Sequence, residues 1–533
     1  MAVGLKSRYL LNARDEFQIE GRGELRLDPL FSDGVVLQRD QAISISGTAK
    51  PGVGVSVKLG VLSEETISDH RGRWQVGFGP MGAAGPLNIS AESGGQILEI
   101  SDVYIGEVWL CAGQSNVMWS LNDIGLTGDG ADGNRLETSN LRILRVPERP
   151  FAQAFNALPS LKWKVENVVD KGSLPALPTF LVEQLDRSLD CKVGVIVSAL
   201  AGSSIVSWIP RNGFCEDSEL NYLLRDYPAD PDDYEEQIEQ WQIERKKFDD
   251  LNRDRVENGL SMLPYTKYLF WGPKGSRCLA YPSGAFEAMI RPLVSFSVRG
   301  VVWYQGESDA YFPEKYGRRL RLMIKKWREY WKLNANQNEL PFVNIQLPAF
   351  EGDPESANWP FVREQQQEVA ELMEQVHCVP ATDLGDPKDI HPSDKKAMAK
   401  RISVFASALS RAEIPPEPPI ISSWQFDETD GGTFGRVKIL TSSALGEPKE
   451  KYFPGIQLID SNGDAMPVMA TLDSPRCIVA ESPIRADRIK GFCYNWSSSP
   501  TGPLKGLNGL PLMPYRSKNW GCLLPPYRSS SEC

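Results

Sequence analysis

From about Leu25 to Ile105 the chain alternates apolar and polar positions. Ile43 and Ile45 alternate with Ser44 and Ser46, and Val55, Val57 and Leu59 with Ser56 and Lys58; Trp74, Val76 and Phe78 repeat the pattern. Turn signals such as Lys50-Pro-Gly and His70-Arg-Gly-Arg separate these runs. A period of two at this spacing predicts a small antiparallel β-sandwich over residues 25–105.

The pattern then changes. Val108-Trp-Leu, Val193-Gly-Val-Ile-Val, Val301-Val-Trp-Tyr, Phe342-Val-Asn-Ile-Gln-Leu and Val376-His-Cys-Val are apolar at successive positions. Runs buried on both faces suit parallel strands. Between them lie helical periods. Tyr316, Leu320, Ile324, Trp327 and Trp331 fall on one face of a helix expected over about Glu314 to Leu333. A second helix is expected after His391, opened by Pro392 and Ser393 and running through Ala397 to about Ala408. Strands alternating with helices predict a doubly wound α/β domain over residues 106–411.

Residues 213–285 interrupt that order. Asp232 to Asn258 is dense in charge, with Ile238, Trp241, Phe248 and Leu251 as a thin apolar stripe, and reads as an inserted, solvated helix. Pro415-Pro-Glu-Pro-Pro is a stiff linker. Beyond it, Arg436-Val-Lys-Ile-Leu, Ile456-Gln-Leu-Ile and Cys477-Ile-Val-Ala return to short strands, a C-terminal β module over residues 416–525.

Composition narrows the function. The chain has 533 residues, enough for two to four domains, and a net charge of -11 with no basic stripe, which speaks against a nucleic-acid partner. No run of about 18 apolar residues suits a membrane span. The nine cysteines include no C-x-x-C pair, so a zinc ribbon or thioredoxin motif is not expected. With three scattered histidines and no H-E-x-x-H, neither a metal nor another cofactor is expected. The N-terminal segment, interrupted by Lys6, Arg8 and Arg14, is a poor signal peptide and by itself suggests a cytoplasmic protein. The sequons at Asn88 and Asn495 would mark a glycoprotein only in a secreted chain.

Ligands of an open parallel sheet bind at the carboxyl ends of its strands. Ser115 lies just past the first run, two residues after Gly113, on a sharp strand-to-helix turn. The pattern is not G-x-S-x-G, because residue 117 is Val, so the α/β-hydrolase elbow does not apply. Gly202 follows the second run and leaves a backbone N–H approachable; Gln305 ends the third with a side-chain N–H donor, and Glu307 follows it. Of the histidines, His70 sits in a β turn and His377 inside a predicted strand. His391 sits in Asp386-Pro-Lys-Asp-Ile-His-Pro, with carboxylates two and five residues before it that can orient an imidazole.

Taken in order, these segments resemble the sialate O-acetylesterase family of the SGNH hydrolase superfamily. The resemblance is carried by Gly106-Glu-Val-Trp-Leu-Cys-Ala-Gly-Gln-Ser-Asn, Trp303-Tyr-Gln-Gly-Glu-Ser and Asp383-Leu-Gly-Asp-Pro-Lys-Asp-Ile-His-Pro. Asp33-Gly-Val-Val-Leu-Gln-Arg-Asp, Gly79-Pro-Met-Gly-Ala-Ala-Gly-Pro and Gly506-Leu-Asn-Gly-Leu-Pro extend it over about residues 25 to 520. It implies an SGNH (flavodoxin-like) doubly wound sheet with flanking β-sandwich modules. It implies hydrolysis of O-acetyl esters of sialic acid, with Ser115 as nucleophile, His391 as general base and Asp389 orienting the imidazole. The oxyanion hole would be the N–H groups of Ser115 and Gly202 and the amide of Gln305, with Asn116 and Glu307 touching substrate. Position 388 is Lys, so Asp386 and Asp383 stay open as alternatives to Asp389. The resemblance also implies a lysosomal or secreted location. An acetylesterase for another sugar, such as acetylxylan, is the alternative; an inactive carbohydrate-binding protein is the alternative of another class.

Overall fold

The computed structural model describes residues 23–517 apart from 127–140, 150–160, 165–170, 227–229, 261, 264, 338, 353–356, 429–434, 483 and 484. The N-terminal signal reading, Cys522, Cys533 and residues 518–525 of the expected C-terminal module lie outside the described residues.

The alternating segment forms strands β1 (Arg26–Leu27), β2 (Val36–Gln38), β3 (Ile43–Thr48), β4 (Gly54–Leu59), β5 (Leu62–Ile67), β6 (Arg73–Phe78) and β7 (Ala84–Ser93). β1, β3 and β6 make one antiparallel sheet; β5, β4 and β7 pair antiparallel in the other. Ile43, Ile45, Val55, Val57, Trp74, Val76 and Ile89 turn inward and are buried, because every second side chain of a strand points to the same face.

β8 (Gln96–Gly113) joins this module to the rest. Its first half pairs antiparallel with β7, and from Glu107 it pairs parallel with two other strands. Its burial changes accordingly, from partly exposed up to Tyr104, with Val103 alone buried, to fully buried from Ile105 onward. The expected boundary at 105/106 therefore falls inside one continuous strand. Buried Glu107 ties the two sides together, accepting from Arg39 at 2.6 Å and from Arg299.

The larger sheet continues with β9 (Arg142–Arg145), β10 (Trp163–Lys164), β11 (Val193–Ala199), β12 (Gly300–Tyr304), β13 (Phe342–Ile345) and β14 (Val376–Val379). Its spatial order is β10-β9-β11-β8-β12-β13-β14, parallel throughout except for β10. The five runs expected to be parallel strands are all in it; β9 and β10 had no comparable signal.

Helices cover both faces. Ser115 opens the one-turn α1 (Ser115–Met118), and α2 (Ala176–Ser188) follows. The insertion contributes α3 (Arg211–Glu216), α4 (Tyr222–Asp226), α5 (Tyr234–Glu257) and α6 (Lys267–Trp271). Then come α7 (Tyr316–Ala335), α8 (Trp359–Leu372) and α9 (Lys395–Ser410). Trp109, Cys111, Val195, Val302, Tyr304 and Val343 pack with α2 and α9. Their strand neighbours Val108, Leu110, Ala112, Ile196, Val301 and Trp303 pack on the opposite side with Leu320, Ile324, Trp327 and Trp331 of α7. The indole N–H groups of Trp327 and Trp331 donate to the Trp208 and Phe296 carbonyls at 2.9 and 3.1 Å, so these large side chains bury no orphan donor. Truncating either to Ala would cost about 3–5 kcal/mol.

α5 is the expected charged helix of the insertion. Only Tyr234, Ile238 and Asn252 of it are buried, and it docks through Trp241 Nε1 and Arg245, both donating to the Leu269 carbonyl. After the proline-rich segment, β15 (Ile421–Glu428), β16 (Gly435–Thr441), β17 (Phe453–Asp460), β18 (Ala465–Ser474), β19 (Cys477–Glu481), β20 (Ile489–Tyr494) and β21 (Tyr515–Arg516) form an antiparallel sheet, ordered β15-β16-β19-β18-β17-β20-β21. Buried Arg363 of α8 holds this sheet to the α/β layers by donating to the Ser497 and Ser498 carbonyls at 2.7 Å. No helix of the described residues is long and apolar enough to cross a membrane.

Candidate active site

The site begins where β8 ends. Gly113 has φ +144°, and a Cβ there would lie 1.9 Å from the Tyr304 carbonyl oxygen, so only glycine lets β8 run this close to the end of β12. Gln114 then locks the two strand ends together. Its N–H donates to Tyr304 O at 3.0 Å, its Nε2 donates to Ser308 Oγ at 2.7 Å, and its Oε1 accepts from Gly306 N at 3.2 Å. This clamp fixes the turn on which Ser115 stands.

His391 arrives from the loop between β14 and α9. Its Nε2 lies 2.8 Å from Ser115 Oγ, across 276 residues of sequence. Asp394 caps α9 by accepting from the Ala397 N–H at 2.9 Å, so the helix starts just after the loop has delivered the imidazole. The helix opens at Lys395, three residues later than the expected start, because Pro392 and Ser393 still belong to the loop.

The imidazole is held differently from the expectation. Asp389 Oδ1 accepts from the His391 backbone N–H at 2.8 Å, not from the ring. Asp386 accepts from the Lys388 N–H, and Asp383 is paired with Arg401 and Lys505. Among the described residues no carboxylate bonds the ring Nδ1. Instead the indole of Trp119 stacks on the imidazole, with centroids 3.9 Å apart and planes 15° apart. Burial, followed by the Lys395 ammonium, lowers the His391 pKa to about 4, while the Asp389 and Asp123 carboxylates pull it back up. At neutral pH the ring is therefore uncharged and able to accept a proton.

Gly202 lies in the loop after β11, which is drawn to the Ser115 turn by the bond from Leu200 N to Gly113 O at 3.0 Å. Its φ of +70° suits glycine, and its N–H has no partner among the described residues. Buried Asp309 organises this loop. It accepts from Ser204 Oγ at 2.9 Å, from Ile205 N at 2.8 Å and from Gln305 Nε2 at 2.6 Å.

Three expected roles meet a different geometry. Gln305 is fully buried, and its Nε2 donates to Asp309 and to Ser203 O at 3.3 Å, so both N–H bonds are engaged away from an oxyanion. Asn116 and Glu307 are buried rather than open to substrate. Asn116 Nδ2 donates to Glu307 Oε1 at 2.7 Å and to Ile390 O at 3.0 Å, and its Oδ1 accepts from Lys395 Nζ at 2.5 Å. Asn116 thus has its amide donors and acceptor engaged, while Glu307 Oε2 has no partner among the described residues. Trp119, Asp309 and Lys395 were not singled out in the sequence. Asp309, two residues past Glu307, and Lys395, four past His391, lie close to motifs that were.

A serine hydroxyl, an uncharged imidazole 2.8 Å from it and the unpartnered Gly202 N–H in the neighbouring loop are the kind of groups that acyl transfer requires. Residues 279–409 match the family described as carbohydrate esterase, sialic acid-specific acetylesterase. The sialate O-acetylesterase of Mus musculus is 24% identical over 416 residues, 71% of this chain and 72% of that protein. That of Homo sapiens is 24% identical over 431 residues, 73% of this chain and 71% of that protein. A carbohydrate acetylesterase from Xanthomonas citri shares the fold, with a TM-score of 0.72 at 24% identity over 93% of this chain and 100% of that one. The protein is thus a carboxylic ester hydrolase of the carbohydrate esterase type. Within that class, the chain is similar to the sialate O-acetylesterases, whose family model matches residues 279–409.

Proposed function

We propose that the protein removes O-acetyl groups from sialic acids through an acetyl-enzyme on Ser115. The observation that carries this reading is the 2.8 Å contact between His391 Nε2 and Ser115 Oγ at the carboxyl ends of parallel strands. The names of the relatives support the sugar. The reading treats residues 106–411 as a doubly wound SGNH-type domain, with 25–105 and 416–525 as β modules beside it.

His391 takes the Ser115 proton as Oγ attacks the acetyl carbonyl. The N–H groups of Ser115 and Gly202 hold the resulting oxyanion; removing one such donor costs roughly 10²–10³-fold in rate. Collapse expels the sugar oxygen, which receives the proton from the imidazolium. His391 then deprotonates a water, which attacks the acetyl-enzyme and releases acetate and free Ser115. Gln305 acts from behind the hole by holding Ser203 and Asp309, and Asp389 steadies the His391 backbone.

Acetate release from 9-O-acetylated sialic acid, acetylated xylan and 4-nitrophenyl acetate, run beside Ser115→Ala and His391→Ala, tests the reading. Preference for sialate with loss in both variants is expected. Cleavage of xylan alone removes the sialate assignment and keeps the chemistry; activity in Ser115→Ala removes the mechanism.

A further inference from the structure

Lys395 is 1% exposed, yet it carries an ammonium in the first turn of α9. A buried charge is costly unless it is paired and hydrogen-bonded. Its counter-charge is the carboxylate of Glu307, itself 3% exposed, and the two are bridged by one carboxamide, that of Asn116. The order is Lys395 Nζ to Asn116 Oδ1, then Asn116 Nδ2 to Glu307 Oε1, with the second Nδ2 hydrogen on Ile390 O. Asn116 follows the nucleophile and Ile390 precedes the base. A single amide therefore joins the nucleophile turn, the loop after β12 and the histidine loop.

An ammonium can only donate, so the amide must turn its oxygen toward Lys395 and its NH₂ toward the two acceptors. We infer that Lys395 is a positioning residue for ester hydrolysis: by holding the Asn116 carboxamide in this orientation, it sets Ser115 and His391 against one another. The inference rests on the acyl-transfer reading above. It has an electrostatic consequence as well. The charged groups facing His391 are Lys395 on α9, Asp389 in its own loop and Asp123 after α1; of these, Lys395 alone disfavours the imidazolium. Those facing Lys395 are Glu307 and Asp389; burial outweighs them and brings its pKa to about 8, so it is charged at neutral pH.

The test is hydrolysis of 4-nitrophenyl acetate from acid to alkaline pH by the full chain, with kcat and KM separated and thermal melts alongside. The variants are Lys395→Met, Lys395→Arg and the double variant Lys395→Met with Glu307→Gln. Lys395→Met is expected to lower kcat by about 10–100-fold with KM little changed, as a small misplacement of reacting groups does. Its acid limb should move to higher pH, because removing the cation lets the imidazole take a proton more readily. Lys395→Arg should restore the acid limb and most of kcat. The double variant, which leaves no unpaired buried charge, should regain melting temperature over Lys395→Met. A Lys395→Met enzyme with full kcat overturns the inference, and so does a lowered kcat with an unmoved acid limb that Arg does not rescue. If Lys395→Met does not fold, the Arg variant decides: an acid limb like that of the parent supports the role, and a displaced one overturns it. Ser115→Ala in the same assay separates the two readings. Activity retained there removes the hydrolysis reading; activity lost there but intact without Lys395 removes only the role of Lys395.

Discussion

Trp119 and His391 lie face to face, 3.9 Å between ring centroids. Trp119 ends the helix that Ser115 begins, and its backbone N–H bonds Ser115 O at 2.9 Å. Ser115 and the surface on which the His391 ring rests thus belong to one turn. Trp119→Ala should lower kcat for acetyl ester hydrolysis by about 10–100-fold, since the ring loses its alignment. Trp119→Phe should keep most of the activity. Steady-state kinetics on both variants checks this; an Ala variant with parental kcat would show that the stacking does not matter.

The pH dependence follows from burial. The His391 pKa is depressed from 6.5 to about 4, so the neutral, basic form persists as pH falls and is lost only near that value. The acid limb of kcat/KM should accordingly lie near pH 4, well below the ordinary imidazole range, and should move upward in Trp119→Ala, where water reaches the ring. A pH–rate profile with 4-nitrophenyl acetate measures both.

Asp389 grips the backbone of His391 rather than its ring. An acid bonded to the imidazole is worth roughly 10⁴-fold in serine hydrolases when replaced by its amide. Asp389→Asn keeps an oxygen that can accept from the His391 N–H and should lose only about tenfold or less. Comparing kcat for Asp389→Asn and Asp389→Ala checks the point, with the larger loss expected in Ala. A 10⁴-fold loss in Asn would mean that the carboxylate reaches the ring during the reaction.

Asp309 binds three donors on two loops. In Asp309→Ala those donors are orphaned in a buried site, at about 1–3 kcal/mol for each that finds no water. The melting temperature should fall by roughly 5 °C or more. Activity should fall too, because the Gly202 loop loses its anchor. Calorimetry with acetate release tests this; an unchanged melting point would show that water replaces the carboxylate.

Some of this protein was legible along the chain because its cause is local. Alternation in β3, β4 and β6 comes from the strand's two faces, and the doubly apolar runs of β8, β11, β12, β13 and β14 come from helices on both sides. Each is decided within a few residues. The strand-to-helix turn at Ser115 and the loop at His391 were visible for the same reason. Short β9 and β10 left no comparable signal, and residues 142–145 are strand only because β11 lies beside them.

The tertiary structure alone decided the rest. The distance between Ser115 and His391 depends on a fold that closes 276 residues of separation. Which atom Asp389 binds, that Gln305 spends its N–H groups on Ser203 and Asp309, and that Asn116 bridges Lys395 to Glu307 depend on burial and on which partners burial leaves in reach. A residue's type states what bonds it can make; only the packed structure, by excluding water, states which of them it must.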